Sequence, residues 1–380
     1  MKILITGGHF SPALSIIEKI RKEADIFVVG RKYSLEGEKS LSFEYKVCQQ
    51  NNIPFVNITT GRLQRKFNKN TLASLVKVPL GFFQSLSILA KYKPDVVLTF
   101  GGYIALPVSL AAFIFRIPIV VHEQTQKAGI SNKITSLFAN KVCISFESSK
   151  EFFPKDKLVY TGNPTPVKES ISKVSGPAIV PNILKNIPIL YVTGGSSGSH
   201  FINNLLFESI EDLLSKFVVI HQTGDSKEFE DYDKLTVEKG KLSNELRKRY
   251  ILEKHIYPKD LGWILNNASL VVSRAGINTV LELLMFGKPC FLIPLPYGQQ
   301  NEQLDNAQLV KRTGLGDYME QKNITVKMFL DKIFYMIDNR EKYLSHKGEA
   351  RKYYIEDAAE RVINVVKSVY VNEKKNKKNI

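Results

Sequence analysis

The 380-residue chain is poor in the residues that staple a fold covalently or through a metal. Its three cysteines, Cys48, Cys143 and Cys290, stand far apart with no Cys-x-x-Cys pair, which excludes a disulfide framework and a zinc knuckle. Histidines and carboxylates form no cluster at metal-ligand spacing. One Asp-x-Asp pair, Asp231-Tyr-Asp233, falls in the charged stretch Lys227 to Lys241 and reads as a solvated helix face. There is no G-x-G-x-x-G and no G-x-x-x-x-G-K-[ST], so nicotinamide enzymes and P-loop ATPases lose ground. The opening Met-Lys-Ile-Leu-Ile-Thr-Gly-Gly is too short an apolar run for a signal peptide, and a reducing, cytoplasmic setting is expected.

Acidic side chains are also scarce. Asp plus Glu total 37 against 53 Lys plus Arg, a net charge of +16. Residues 1–163 hold 22 basic and 11 acidic side chains, so most of the excess lies in the first half. That charge suits an anionic membrane surface, a phosphate-bearing ligand or nucleic acid. A spanning helix is not expected. The 20 uncharged residues from Val96 to Phe115 are broken by Gly101-Gly102 and Pro107, and read as a strand, a turn and a helix starting near Pro107.

What the chain does have is alternation of short β-branched runs with longer helical patterns, the mark of parallel α/β sheets. Strands are expected at 2–6, 25–29, 53–58, 95–100, 117–122, 141–145 and 158–161. A proline- and glycine-containing stretch at 164–188 reads as a linker. A second series follows at 189–193, 217–221, 250–257, 269–273 and 290–294, and then helical sequence from the N-cap residue Thr325 to Val371. The expected architecture is two doubly wound, Rossmann-like domains facing across a cleft. Their bounds are 1–163 and 189–340, with a C-terminal helix at 341–371 packing back toward the first domain and a basic tail at 372–380.

In such sheets ligands sit beyond the carboxyl ends of the strands. Three glycine turns lie there: Thr6-Gly7-Gly8-His9, Gly101-Gly102-Tyr103 and Gly194-Gly195-Ser196-Ser197-Gly198. Glycine lets the backbone approach a ligand, and the helix that follows offers free N–H groups to phosphate. The third turn, with Ser196, Ser197 and Ser199, is the best pyrophosphate cradle. Ser273 to Glu282 reads as a strand end, a turn and a helix start. Glu282 is placed there to accept from two ribose hydroxyls. Pro294 to Gln303 repeats the theme with amides suited to a sugar. His9 and His122-Glu123 stand just past strand ends, where a general base belongs. The basic and apolar segment from Arg62 to Phe83 suits docking on an anionic bilayer.

Assembled in order, these pieces resemble the MurG family of peptidoglycan glycosyltransferases. The matching segments are Thr6-Gly-Gly-His9, Gly101-Gly-Tyr103, His122-Glu-Gln124, Gly162-Asn-Pro164, Gly194-Gly-Ser196, His221-Gln222, Ser273 to Glu282, and Gln303 with Asn306-Ala307. The resemblance implies a GT-B fold and inverting transfer of N-acetylglucosamine from UDP-N-acetylglucosamine to the 4-hydroxyl of an undecaprenyl-linked muramyl-pentapeptide. It also implies peripheral attachment to the cytoplasmic face of the cell membrane. Ser196 would contact the donor, Ile277, Asn278, Thr279, Val280, Leu281 and Glu282 would bind the nucleotide, backbone near Pro258 would read uracil, and Gln303 would reach the sugar. Thr6, Gly7 and Gly8 would line the acceptor and phosphate side.

The base would be His9, with Glu123 as the alternative. No cofactor, no metal and no nucleic acid are expected, and other cell-wall synthesis proteins are conceivable partners. The chain departs from the family at Thr125, where an Asn is usual, at Pro166, where an Arg is common, and at Glu302. Its first glycine loop is also shortened. Another GT-B glycolipid transferase, a UDP-N-acetylglucosamine 2-epimerase and a catalytically silent membrane scaffold stand as alternatives.

Overall fold

A computed structural model describes residues 1–8, 10–33, 41–61, 69–165, 187–195, 198–226, 228–256, 258–297 and 301–378. Of residues 43, 69–78, 258–259 and 377–378 it describes the backbone alone. The chain divides into two compact units: Met1–Thr165 with Ile355–Ile380, and Pro166–Tyr354.

Unit 1 is built on seven strands: β1 (Lys2–Thr6), β2 (Asp25–Gly30), β3 (Phe55–Asn57), β4 (Val96–Thr99), β5 (Ile119–Glu123), β6 (Lys141–Ile144) and β7 (Leu158–Tyr160). They pair all-parallel in the order β3-β2-β1-β4-β5-β6-β7. The period-2 alternation of side chains fills both faces. Ile3, Ile5, Ile26, Val28, Val96 and Leu98 enter one core, while Leu4, Phe27, Val29 and Val97 enter the other.

The first core is closed by the helices Phe10–Ile20 and Ala358–Lys378. The terminal helix contributes Ala359, Val362, Ile363, Val366 and Val369, a helical-period apolar stripe. Residues 341–354, expected with that helix, instead fold in unit 2 as two short helices. Arg351 donates to the Met285 carbonyl (3.0 Å), and the Lys347 side chain packs on Gly287.

Unit 2 carries six parallel strands: β8 (Ile189–Thr193), β9 (Val218–Gln222), β10 (Tyr250–Glu253), β11 (Leu270–Ser273), β12 (Cys290–Leu292) and β13 (Gly316–Tyr318). Their order is β10-β9-β8-β11-β12-β13. The edge strand β13 was not expected, because Gly-Asp-Tyr carries no apolar run. The expected strand at 250–257 stops at Glu253. The helix expected to start near Pro107 begins at Gly102, since Gly101 (φ 81°) completes the turn by itself. In both units the strand order reverses beside the first strand of the series, at β1/β4 and β8/β11. A crevice opens at that switch point, beyond the strand ends.

Candidate active site

In unit 2 the described residues of the turn after β8 are glycines, Gly194, Gly195 and Gly198. A Cβ on Gly194 would lie 2.2 Å from Ser199 N, and one on Gly198 would lie 1.9 Å from the Thr223 carbonyl. Gly195 and Gly198 also have φ of +84° and +76°, which L side chains rarely adopt. Ser199 N-caps the helix His200–Lys216, its Oγ accepting from Ile202 N. Gly195 N donates to Thr193 Oγ1 (3.0 Å) and Gly198 N to the Gly195 carbonyl (3.1 Å). The groups the helix leaves without an intrahelical acceptor are thus the N–H groups of its first turn, His200 and Phe201, as at other anion-binding helix starts. Ser196 lies outside the described residues.

Beneath this turn sits Arg274, which the sequence reading passed over inside its motif. It is 8% exposed. Its Nε donates to Ser199 Oγ (3.0 Å), Nη1 to the Ile293 carbonyl (3.1 Å) and Nη2 to Gln321 Oε1 (2.8 Å). Among the described residues no carboxylate pairs with it. Burial alone pulls its pKa down to about 10, so the guanidinium stays charged and lacks an anion.

The turn after β11 starts the helix Ile277–Phe286 at Gly276. The side chains of Ile277, Val280 and Leu281 are buried in the core, and Val280 N already donates to the Gly276 carbonyl. Of the six residues expected to bind there, Val280 and Leu281 therefore present no side-chain group, and Ile277 presents only its N–H. Asn278 and Thr279 are half-exposed. Glu282 is buried, and burial pushes its carboxyl up to about 8. No hydrogen bond links it to the described residues. Gln303 uses Oε1 to accept from Leu295 N (3.0 Å), which leaves its amide NH₂ as the outward donor. Asn306 ties the same helix, Glu302–Thr313, to the Ala275 carbonyl. Pro258 is the first residue of the helix Pro258–Asn267.

The reading of the Asp-x-Asp pair as a solvated helix face is corrected here. Asp231 is not solvated: at 5% exposure it accepts from His200 Nδ1 and Asn203 Nδ2, both at 2.7 Å. Asn203 continues the chain to His221, whose pKa burial drives down to about 3, so that it stays neutral. Asn203, Asp231 and His221 are remote from one another in sequence, and only the fold joins them.

In unit 1 the turns after β1 and β4 meet. Gly8 (φ +125°) lies against the Gly101 carbonyl, and Gly7 N donates to Val29 O. Thr6 is fully buried and bonded to Thr99 Oγ1 (3.1 Å), so its side chain supports the turn from below instead of facing a ligand. Glu123 receives four hydrogen bonds, from Thr125 N, Thr125 Oγ1, Gly129 N and Asn132 Nδ2, at 2.6–3.0 Å. A carboxylate has about four lone-pair sites, so Glu123 is committed to bracing the loop 124–129. Thr125 is turned inward by the same network. His122 Nε2 lies 3.0 Å from the Gly162 carbonyl. His9 lies outside the described residues. Among the described residues no group of three His, Cys, Asp or Glu side chains is placed to hold a metal ion.

Residues 6–144 match the glycosyltransferase family 28 N-terminal domain and residues 189–362 match its C-terminal domain. The two parallel-sheet units with glycine turns at their switch points thus define a GT-B glycosyltransferase. Over 97% of its length the chain is 31% identical to a Clostridium tetani protein, covering 98% of it. That relative is named UDP-N-acetylglucosamine–N-acetylmuramyl-(pentapeptide) pyrophosphoryl-undecaprenol N-acetylglucosamine transferase. The chain belongs to this transferase family, MurG.

Among solved structures, Acinetobacter baumannii MurG superposes with a TM-score of 0.66 at 22% identity, covering 97% of this chain and 100% of that one. A putative UDP-N-acetylglucosamine 2-epimerase from Listeria monocytogenes gives 0.68 at 16%, covering 98% and 97%. The fold is thus common to transferases and epimerases, and sequence identity separates them.

If Arg274 supplies the charge beneath an anion site, Arg274→Met weakens binding of inorganic pyrophosphate by about tenfold, about 1.4 kcal/mol. Calorimetry on the folded variant measures this, and unchanged affinity detaches Arg274 from the site.

Proposed function

We infer that this protein transfers N-acetylglucosamine from UDP-N-acetylglucosamine to the 4-hydroxyl of undecaprenyl-pyrophosphoryl-N-acetylmuramyl-pentapeptide, with inversion at the anomeric carbon. The observation that carries the reading is the Gly194–Ser199 turn backed by Arg274, which has no carboxylate partner among the described residues, in a chain that matches its relative over 97% of its length. In the reaction the acceptor hydroxyl attacks C1 and the C1–O bond to UDP breaks. The proton goes to a base, and negative charge grows on the diphosphate. Backbone N–H groups of the turn, the start of the helix His200–Lys216 and the Arg274 charge stabilise that leaving group without a metal. Gln303 donates its amide to the sugar, Glu282 holds the ribose, and the backbone near Pro258 meets uracil. The acceptor's phosphates take the Gly7-Gly8 and Gly101-Gly102 turns of unit 1. His9 is the base, because the Glu123 oxygens are occupied by their loop.

Attachment to the membrane is assigned to unit 1. Among the described residues no helix is long and apolar enough to cross a bilayer. Of the segment Arg62 to Phe83 expected to dock, residues 62–68 lie outside the described residues and 69–83 fall in the helix Lys69–Tyr92. Exposed apolar side chains cluster on that helix and on the helices Gly102–Ile114 and Ile130–Ser136 packed with it. Phe83 (65%), Phe113, Ile114, Phe115, Ile134 and Leu137 (70%) lead them, with Arg116 and Lys133 nearby in the chain and Lys157 donating to the Ser136 and Leu137 carbonyls. Apolar anchors flanked by cations suit an anionic, cytoplasmic-leaflet surface.

The deciding experiment is a product assay with UDP-N-acetylglucosamine and the lipid-linked muramyl acceptor. Transfer that survives EDTA is expected; no product, or transfer abolished by EDTA, contradicts the mechanism. In that assay His9→Ala lowers turnover at least tenfold with donor affinity little changed, as loss of a positioned base typically costs roughly 10²–10⁴. Turnover near wild type would remove His9 from the role.

Proton linkage tests Glu282. Its neutral form is favoured in the free protein, and ribose hydroxyls donating to it favour the ionised form. Binding therefore releases a proton below pH 8. Donor affinity rises between about pH 6 and pH 8, by up to about tenfold per unit, and then levels off. Glu282→Gln flattens the profile; a flat wild-type profile counts against the ribose role. Finally, Phe113→Ser with Leu137→Ser reduces co-sedimentation with phosphatidylglycerol vesicles several-fold, and undiminished binding moves the membrane contact elsewhere.

A further inference from the structure

The turn after β8 and the loop after β10 are separate in sequence, yet one side chain joins them. Gln222, the last residue of β9, is 7% exposed. Its Nε2 donates to the Gly195 carbonyl inside the glycine turn (3.0 Å). Its Oε1 accepts from Ile256 N in the loop that leads to Pro258 (3.3 Å) and from the Tyr191 hydroxyl on β8 (3.3 Å).

Both ends of the amide are thereby used, and its orientation is fixed: reversing it would set a carbonyl against a carbonyl and an NH₂ against an N–H. Tyr191 is itself buried, at 3% exposure. Burial holds its hydroxyl protonated, so it remains a donor. Two pieces of the proposed nucleotide site therefore meet at this Tyr191–Gln222 pair: the phosphate turn at Gly195 and the loop at Ile256 that leads to Pro258.

We propose that Gln222 is a positioning residue for the nucleotide. It sets the spacing between the loop at Ile256 and the turn at Gly195, so that the base and the diphosphate of one UDP moiety are engaged together. Gln222 touches neither the reacting atoms nor the ligand; its effect is on simultaneous engagement. A nucleotide that spans both subsites gains from having them held at the right separation, because the second contact is made without further loss of freedom. Fragments that occupy one subsite gain nothing from that spacing. The proposal rests on the UDP-sugar reading of unit 2 given above and adds to it the element that couples its two halves.

The test compares UDP with its parts. Binding of UDP, of uridine and of inorganic pyrophosphate is measured by NMR titration of the full-length wild type and of Gln222→Met, which keeps the volume and removes both polar ends. Gln222→Met is expected to weaken UDP at least fivefold while changing uridine and pyrophosphate less than twofold each. Gln222→Glu, which keeps an acceptor for Ile256 and Tyr191 but removes the donor to Gly195, is expected to lose UDP affinity as well.

If Gln222→Met fails to fold, Tyr191→Phe takes its place. It deletes one partner of Oε1 with little change of shape, and a loss of about twofold for UDP alone is expected. A drop in UDP affinity matched by an equal drop for either fragment makes Gln222 a support of one subsite and overturns the proposal. Unchanged UDP affinity in the variants overturns it too. Failure of the wild type to bind UDP at all is a different result: it removes the UDP-sugar reading, and the coupling with it.

Discussion

An uncompensated guanidinium organises the second unit. Arg274 has given up water, keeps its charge and, among the described residues, finds only neutral acceptors: a serine hydroxyl, carbonyls just past β12 and a glutamine. Removing a cation from water without a counter-charge costs several kcal/mol even after relaxation. Such an arrangement makes physical sense when an anion arrives on the other side of the hydrogen-bonded group. Ser199 is that group, and it caps the helix whose free N–H groups face the same way. The helix end, the glycine turn and the buried cation all act on one spot. In the proposed reaction a diphosphate leaving group would develop its charge there.

The same logic orders the rest of the site. A parallel sheet sends every strand's carboxyl end to one rim, and the reversal of strand order opens that rim at β8/β11 in one unit and β1/β4 in the other. Glycines occur where side chains would collide with neighbouring backbone, as at Gly194 and Gly198, and polar side chains then fix the bare turns from behind. Asn203 and Asp231 hold one side, Gln222 and Tyr191 another, and in unit 1 Glu123 and Asn132 brace the loop after β5. Much of what looks like catalytic equipment in the sequence is this bracing layer.

The sequence was most legible where one physical rule acts alone. Buried strands such as β1 and β11 declare themselves as β-branched runs, Thr325 as the cap it is, and the glycine turns as strand-to-helix junctions. It was least legible where two rules compete. The helix Gly102–Ile114 is apolar on all sides, so periodicity could not tell its core face from the exposed face bearing Phe113 and Ile114. Asp231 looked solvated among charged neighbours, because the partner that buries it, Asn203, is remote in sequence. Thr6 and Glu123 are residue types that bind ligands, and only the fold shows their oxygens turned to Thr99 and to the loop 124–129. The strand β13 was invisible, since three residues at a sheet edge need no apolar pattern.

The central claim is one of place: the two phosphates of a sugar nucleotide sit on the turn between β8 and the helix His200–Lys216, above Arg274. A crystal structure of the protein with UDP-N-acetylglucosamine tests it directly. Phosphate oxygens are expected within hydrogen-bond distance of main-chain nitrogens between Ser196 and Phe201. Density placing the diphosphate elsewhere, or the turn filled by the protein's own side chains with nucleotide bound, would contradict it.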